Sequence, residues 1–225
     1  MKRIFIVVCL ISSGVIFAQD WPNLKRFKNA NDSIMQNSKE MARVVFMGNS
    51  ITEGWLNKEL TFFHNPAYIN RGISGQTTSQ MLVRFRQDVI DLKPKAVVIL
   101  AGINDIAENT GPISIEDIFG NIKSMCDLAE TNNIKVVLCS VLPAKEFPWR
   151  MHIDPRPKVK ALNNLLKSYS EENAHVTYVN YYNDLVTNEL GLPTHLTNDE
   201  VHLTLEGYRT LEPMVLKGLE KALED

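Results

Sequence analysis

The amino-acid sequence predicts an α/β domain built on a parallel β-sheet. Three observations carry this expectation. Short runs rich in Val, Ile and Tyr alternate along the chain with stretches whose apolar residues recur at helical spacing. The runs are continuously apolar, as strands buried on both faces of a sheet must be. The length of 225 residues suits one domain with a substantial core.

The first element is not part of that domain. Lys2 and Arg3 precede "IFIVVCLISSGVIF", which ends in Ala18 and Gln19. A basic start, an apolar segment and a small residue at its end describe a secretory signal peptide over residues 1–19. A membrane span needs roughly 20 apolar residues; this run is shorter and contains Ser12, Ser13 and Gly14. The expectation is an exported protein, periplasmic or secreted, that does not stay inserted in the membrane after cleavage. Residues 20–225 then form the single domain.

Within that domain, Leu24, Phe27, Ala30 and Ile34 predict a leading helix. "RVVFMG" (43–48), the weaker "AYINRG" (67–72), "AVVILAG" (96–102), "IKVVLCSVL" (134–142) and "VTYVNYY" (176–182) predict strands. Between them, Leu82, Phe85, Val89 and Leu92 share one helix face. Ile115, Ile118, Phe119, Ile122 and Cys126 share another, opened by Ser114 with Asp117 three residues on, a variant of the capping box. Leu162, Leu165, Leu166 and Tyr169 mark a third helix. A last one is expected from about Thr204 to Leu223, kinked or split at Pro213. "PAKEFPWRMHIDPRP" (143–157), with four prolines, is the longest stretch read as irregular.

Composition narrows the function. Lys and Arg number 24 against 26 Asp and Glu, and no basic run occurs, so nucleic acid is not an expected partner. Loss of Lys2 and Arg3 with the leader takes the formal charge from −2 to about −4. Of the three cysteines, Cys9 lies in the leader, while Cys126 and Cys139 fall on apolar faces and read as core residues. No Cys/His spacing points to zinc. No metal or organic cofactor is expected, and a small-molecule or glycan ester is the expected partner.

In open parallel sheets, sites form beyond the carboxyl ends of the strands. There the chain places Gly48-Asn49-Ser50, then "NRGISGQTT" with Gly72 and Gly75, then "AGIND" with Asn104 and Asp105. "NDEVHLTLEGY", with Asp199 and His202, precedes the last helix. Taken singly, each has a bland reading: Ser50 as a helix cap, the glycines as turn residues, Asn104-Asp105 as an Asx turn, His202 as a packed or surface residue. Taken together they are the parts of acyl transfer. A serine nucleophile needs a base within hydrogen-bond reach, itself oriented by a third group. Asp199, three residues from His202, can engage Nδ1 and leave Nε2 for Ser50. The Ser50 and Gly75 backbone N–H groups and the Asn104 amide can receive the developing oxyanion.

"FMGNSITEGW", "NRGISGQTT", "LAGIND" and "DEVHLTLEGY" resemble, in order and spacing, the four blocks of the SGNH hydrolase superfamily of GDSL-type esterases and lipases. The first and last are closest to the branch that includes platelet-activating-factor acetylhydrolase subunits. The resemblance spans residues 43–208. It implies a three-layer α/β/α sandwich with a flavodoxin-like, five-stranded parallel sheet. It also implies Ser50 as nucleophile, His202 as base, Asp199 as its orienting acid, and Gly75 and Asn104 completing the oxyanion hole. One departure stands out: the family's Gly-Asp-Ser is Gly48-Asn49-Ser50 here. Asn49 is expected to keep the turn by side-chain hydrogen bonding.

For the substrate pocket, Trp55, Trp149 and Arg150 are candidates, with Arg71 as a ligand for an anion or a backbone carbonyl. His152, in the long loop, is a further one. His64, His175 and His195 read as structural or solvated. The expected function is a secreted serine esterase that removes short acyl groups, acetyl first among them, from oxygen esters carried by carbohydrates. A lysophospholipase or thioesterase is the alternative on the same residues, and a non-catalytic carbohydrate-binding protein the alternative of another class. Nucleotide binding lacks its glycine spacing, and a G-x-S-x-G elbow would need glycine where Thr52 stands.

Overall fold

A computed structural model describes residues 20–36, 43–57 and 59–224. The proposed leader, with Cys9, lies outside the described residues. Five strands form one all-parallel sheet: β1 (Val44–Gly48), β2 (Tyr68–Gly72), β3 (Ala96–Leu100), β4 (Lys135–Cys139) and β5 (Val176–Val179). Their order across the sheet is β2-β1-β3-β4-β5, the flavodoxin-like arrangement expected. Eight α-helices accompany them among the described residues: α1 (Lys28–Gln36), α2 (Ser50–Gly54), α3 (Thr78–Asp88), α4 (Ile103–Ile106), α5 (Ile115–Thr131), α6 (Pro155–Glu172), α7 (Tyr181–Leu185) and α8 (Leu205–Glu224).

The apolar runs form strands because both faces are covered. β1 and β3 are buried along their whole length. Helices α3, α5 and α6 pack side by side over one face, and α8 crosses β3, β4 and β5 on the other. On the α8 side, Phe46 sits at the centre of an aromatic cluster. Trp55, Phe62, Phe63 and Tyr68 surround it at centroid distances of 6.2, 5.5, 4.9 and 5.3 Å. The Tyr208 hydroxyl donates to the Ile51 carbonyl at 2.9 Å, joining α8 to the turn that carries Ser50.

Several elements differ from expectation. The strands are shorter than the apolar runs, and Tyr181 and Tyr182 belong to α7, where the Tyr182 N–H donates to Ser140 Oγ at 2.9 Å. The irregular stretch ends early, because Pro155 starts α6 behind the cap of Asp154, whose carboxylate accepts from the Arg156 N–H. Helix α8 runs unbroken through Pro213. The buried stripe of α3 is Met81, Arg84, Phe85 and Asp88, with Leu82 only partly covered. Arg84 and Asp88 occupy core positions because they neutralise each other, Nη1 to Oδ2 at 3.0 Å, with both side chains fully buried. On α1 the buried residue is Asn31, whereas Leu24 is 36% exposed. Ser114 caps α5 as expected, accepting from the Asp117 N–H at 3.0 Å.

Cys126 and Cys139 are buried, as read; both are free thiols, and burial pushes them up to about 12. No helix among the described residues is long and apolar enough to cross a membrane.

Behind Asn104, Asp105 joins α4 to the start of α3. Its carboxylate accepts from Thr78 Oγ1 at 2.6 Å and from the Thr78 N–H at 3.0 Å. Burial raises its pKa from 3.8 to about 6, against the opposing pull of the Thr78 hydrogen bonds. A folded pKa above the unfolded one contributes stability that is complete below about 4 and is lost as pH rises through about 6. Urea denaturation from pH 4 to pH 7 should therefore show a decline in stability that Asp105→Asn flattens. In the core, Phe46→Ala should lower the unfolding free energy by about 3–5 kcal/mol, through lost burial and an unfilled cavity, read from the same urea titration.

Candidate active site

β1 lies between β2 and β3, so the loop leaving β1 is flanked by the loops leaving its two neighbours. The Ser50, Gly75 and Asn104 segments thereby share one edge of the sheet. Gly48 ends β1 where the α2 turn folds back on it. A Cβ there would overlap the Thr52 side chain and come within 2.9 Å of the Leu100 carbonyl oxygen. Asn49 is 1% exposed, and its Oδ1 accepts from the Ile51 N–H at 3.2 Å, so it holds the turn as expected. Ser50 is the first residue of α2, where backbone N–H groups have no intrahelical acceptor.

The base arrives from the other end of the chain. His202 Nε2 lies 2.9 Å from Ser50 Oγ, and Nδ1 lies 2.7 Å from Asp199 Oδ2. Asp199 Oδ1 also accepts from the backbone N–H groups of His202 at 2.7 Å and Val201 at 3.2 Å. Burial works against its charge, but these N–H groups, the imidazole hydrogen bond and the charge of the ring outweigh it. The carboxyl is held below its ordinary value. An ionised Asp199 fixes the proton on Nδ1 and leaves Nε2 to accept from the serine hydroxyl.

The loop carrying this pair is braced. Thr197 bridges Leu203, the Thr197 hydroxyl and the Asn198 N–H both donate to the His202 carbonyl, and Val201 and Leu203 are buried. The Thr204 hydroxyl donates to the His195 carbonyl and accepts from the Gly207 N–H, closing the entry to α8.

Gly75 has a φ of +77°, and a Cβ there would meet nothing. Glycine is required by this left-handed backbone and not by crowding. Asn104 is 4% exposed, and its Nδ2 donates to the Gln76 carbonyl at 3.0 Å, beside Gly75. Asn109 ties the two together: its Nδ2 donates to the Gly75 carbonyl at 3.1 Å and its N–H to the Asn104 carbonyl at 3.0 Å. Asn109 escaped sequence reasoning, although it follows "LAGIND" by only a few residues.

The pocket candidates divide. Trp149 does reach the site, with its ring 6.1 Å from that of His202 and the side chain 44% exposed. Arg150 is half-buried in the same turn and makes no hydrogen bond to the triad among the described residues. His152 is exposed in that loop. Trp55 is corrected: at 2% exposure it stacks on Phe62 at 5.0 Å and donates from Nε1 to Glu212 Oε1, so it presents no face to a ligand. Arg71 is corrected too. At 4% exposure it donates to Asn31 Oδ1 through Nε and Nη2 and to the Asn70 carbonyl, with its guanidinium over Phe27. Burial, opposed by Asp88, lowers its pKa to about 10. The notion that it meets a backbone carbonyl holds; that it binds an anion does not. Exposed His195 faces Glu206, and His175 pairs with Glu130.

The sequence also missed the layer beneath. The fully buried Arg84 guanidinium donates from Nη2 to the Gly48 and Arg71 carbonyls at 3.1 and 2.9 Å, and from Nε to Gln76 Oε1 at 2.6 Å. Asp88 answers its charge on one side and accepts from Asn31 on the other. Among the described residues no group of His, Cys, Asp and Glu is placed to hold a metal ion.

Comparison with known proteins places the fold among solved structures. A GDSL-like lipase from Bacteroides thetaiotaomicron has the same fold at a TM-score of 0.86 and 48% identity, over 90% of this chain and 100% of that one. An acetylxylan esterase from Geobacillus stearothermophilus, solved as a catalytic mutant, shares the fold at a TM-score of 0.63 and 21% identity, over 79% and 93%. The platelet-activating factor acetylhydrolase IB subunit alpha2 of Rattus norvegicus is 28% identical over 191 residues, 81% of this chain and 80% of the relative. Residues 32–210 match the GDSL-like Lipase/Acylhydrolase family, and the chain belongs to that family.

Proposed function

We propose that the chain is an exported serine esterase that cleaves short acyl groups, acetyl above all, from oxygen esters on carbohydrates. The observation that carries the chemistry is the unbroken relay from Asp199 through His202 to Ser50, at 2.7 and 2.9 Å. His202 Nε2 takes the Ser50 proton as Oγ attacks the ester carbon. The oxyanion rests on the N–H groups of Ser50 and Gly75 and on the Asn104 amide. Collapse expels the alcohol, which receives its proton from His202, and leaves an acyl-serine. Water, deprotonated by His202, then attacks the acyl carbon, releases the acid and restores Ser50. Asp199 stays ionised throughout and stabilises the imidazolium.

The names of the mammalian relative and of the Geobacillus fold neighbour both carry removal of an acetyl group, which supports a short acyl group. Export rests on the basic-apolar leader, and acetylated polysaccharide is an ester met outside the cytoplasm. A long-chain lysophospholipase or thioesterase would instead prefer octanoyl and palmitoyl substrates.

Purified protein should hydrolyse p-nitrophenyl acetate faster than the octanoate, and Ser50→Ala should abolish turnover. Equal rates for the wild type and Ser50→Ala would refute the assignment. Failure of a fluorophosphonate to label Ser50 would favour a non-catalytic binder. Asn104→Ala should lower kcat by about 100- to 1,000-fold, through loss of one oxyanion donor. Mass spectrometry of protein recovered outside the cytoplasm should find Asp20 as the first residue.

A further inference from the structure

We propose that the groove beside Gly75 binds the saccharide portion of the ester, with the Trp21 indole as its stacking platform. The inference rests on the esterase reading above and adds to it the place where the sugar sits. The groove encloses about 730 Å³ between the segment after the leader and the loops leaving β2 and β3, within the usual range for a small-molecule site. Its walls include Trp21, Asn23, Gly75, Gln80, Asn109 and Thr110. Gly75, whose N–H is assigned to the oxyanion, lines this groove, so the groove adjoins the place where the ester carbonyl sits. With a short acyl group, the larger part of the ester is the alcohol.

The chemistry of the walls selects a neutral, polyhydroxylated ligand. No Lys or Arg lines the groove, so no cationic side chain there answers a charged ligand group. Its one carboxylate, Asp20, already accepts from the Leu24 and Lys25 N–H groups at 2.8 and 3.0 Å. The remaining polar groups are amides and hydroxyls. Asn109 uses its Nδ2 on the Gly75 carbonyl, which leaves Oδ1 for a ligand hydroxyl. A sugar ring has a hydroxyl rim for such groups and a C–H face that complements the negative face of an indole. A lipid tail would need mostly apolar walls, and here Trp21 and Ile73 are the only large apolar side chains among polar ones.

Trp21 itself is the second observation. Three glutamines hold the backbone around it: Gln80 Nε2 donates to the Trp21 carbonyl, Gln76 Nε2 to that of Pro22, and Gln87 Nε2 to that of Leu24, each at 2.7 Å. Pro22 is buried by this docking, yet the Trp21 side chain is left 48% exposed. Among the described residues no other ring packs on it. A large aromatic held firmly by its backbone and left unburied is a platform. Gln76 also joins the platform to the chemistry, because its carbonyl accepts from the Asn104 amide.

The test compares p-nitrophenyl acetate with acetylated xylo-oligosaccharides and manno-oligosaccharides, for wild-type protein, Trp21→Ala and Trp21→Phe. The ratio of kcat/KM on the preferred oligosaccharide to that on p-nitrophenyl acetate should fall about tenfold in Trp21→Ala, through KM, and recover largely in Trp21→Phe. An unchanged ratio overturns the proposal. So does hydrolysis of p-nitrophenyl acetate with no turnover of either saccharide, although the esterase reading then stands. If no ester is cleaved, the esterase reading falls, and calorimetric titration with the deacetylated oligosaccharides judges the groove alone. Binding that Trp21→Ala abolishes upholds it, and absence of binding to the wild type overturns it.

Discussion

The site depends on one buried charge. Arg84 has no contact with solvent, and a guanidinium in that position must find partners for its donors or lose several kcal/mol of solvation. Burial depresses its pKa and the Asp88 carboxylate opposes that. The other acceptors are the carbonyls of Gly48 and Arg71, at the carboxyl ends of β1 and β2, and the Gln76 side chain. Parallel strands end in carbonyls that need donors just where the functional loops depart. Arg84 meets that need from below and fixes the spacing between the Ser50 turn and the Gly75 loop.

This explains the division of labour around the triad. Asp199 and His202 are local partners, set by a small bridged loop, and need little from the rest of the fold. Ser50, Gly75 and Asn104 belong to three loops from adjacent strands, and their mutual positions come from sheet order and from side chains that touch no substrate. Gln76 and Asn109 stitch the second loop to the third, Arg84 the first to the second, and Glu53 accepts from the Ser74 backbone and hydroxyl from the α2 side. Replacement of the family aspartate by Asn49 does not disturb this frame, since the asparagine oxygen performs the capping that the turn requires.

The sheet and the positions of Ser50, Gly75, Asn104, Asp199 and His202 were legible because period and chemistry agree there; the strand order came from the family resemblance alone. Apolar runs mark strands, and polar residues just beyond them have nothing to bury. Arg84 and Asp88 were not legible. An Arg and an Asp four apart on a helix read as a solvated pair, and only the tertiary fold shows the pair turned inward. Trp55 and Arg71 were misplaced for the converse reason. Nearness in sequence to a strand end says nothing about which side of the turn a side chain takes, and both point into the protein. Trp21 passed unremarked because a single aromatic beside a leader has no pattern; its significance lies in three glutamines distant in sequence.

The separation of 152 residues between Ser50 and His202 has a bearing on how the molecule is made. A chain synthesised from its amino terminus presents its nucleophile early and its base late. His202 lies just before α8, so its place beside Ser50 goes together with the packing of α8 across β3, β4 and β5 and with the Tyr208 hydrogen bond to the Ile51 carbonyl. A chain that lacks this packing lacks the relay, and under the proposed function the onset of esterase activity would time the closure of the carboxy-terminal helix.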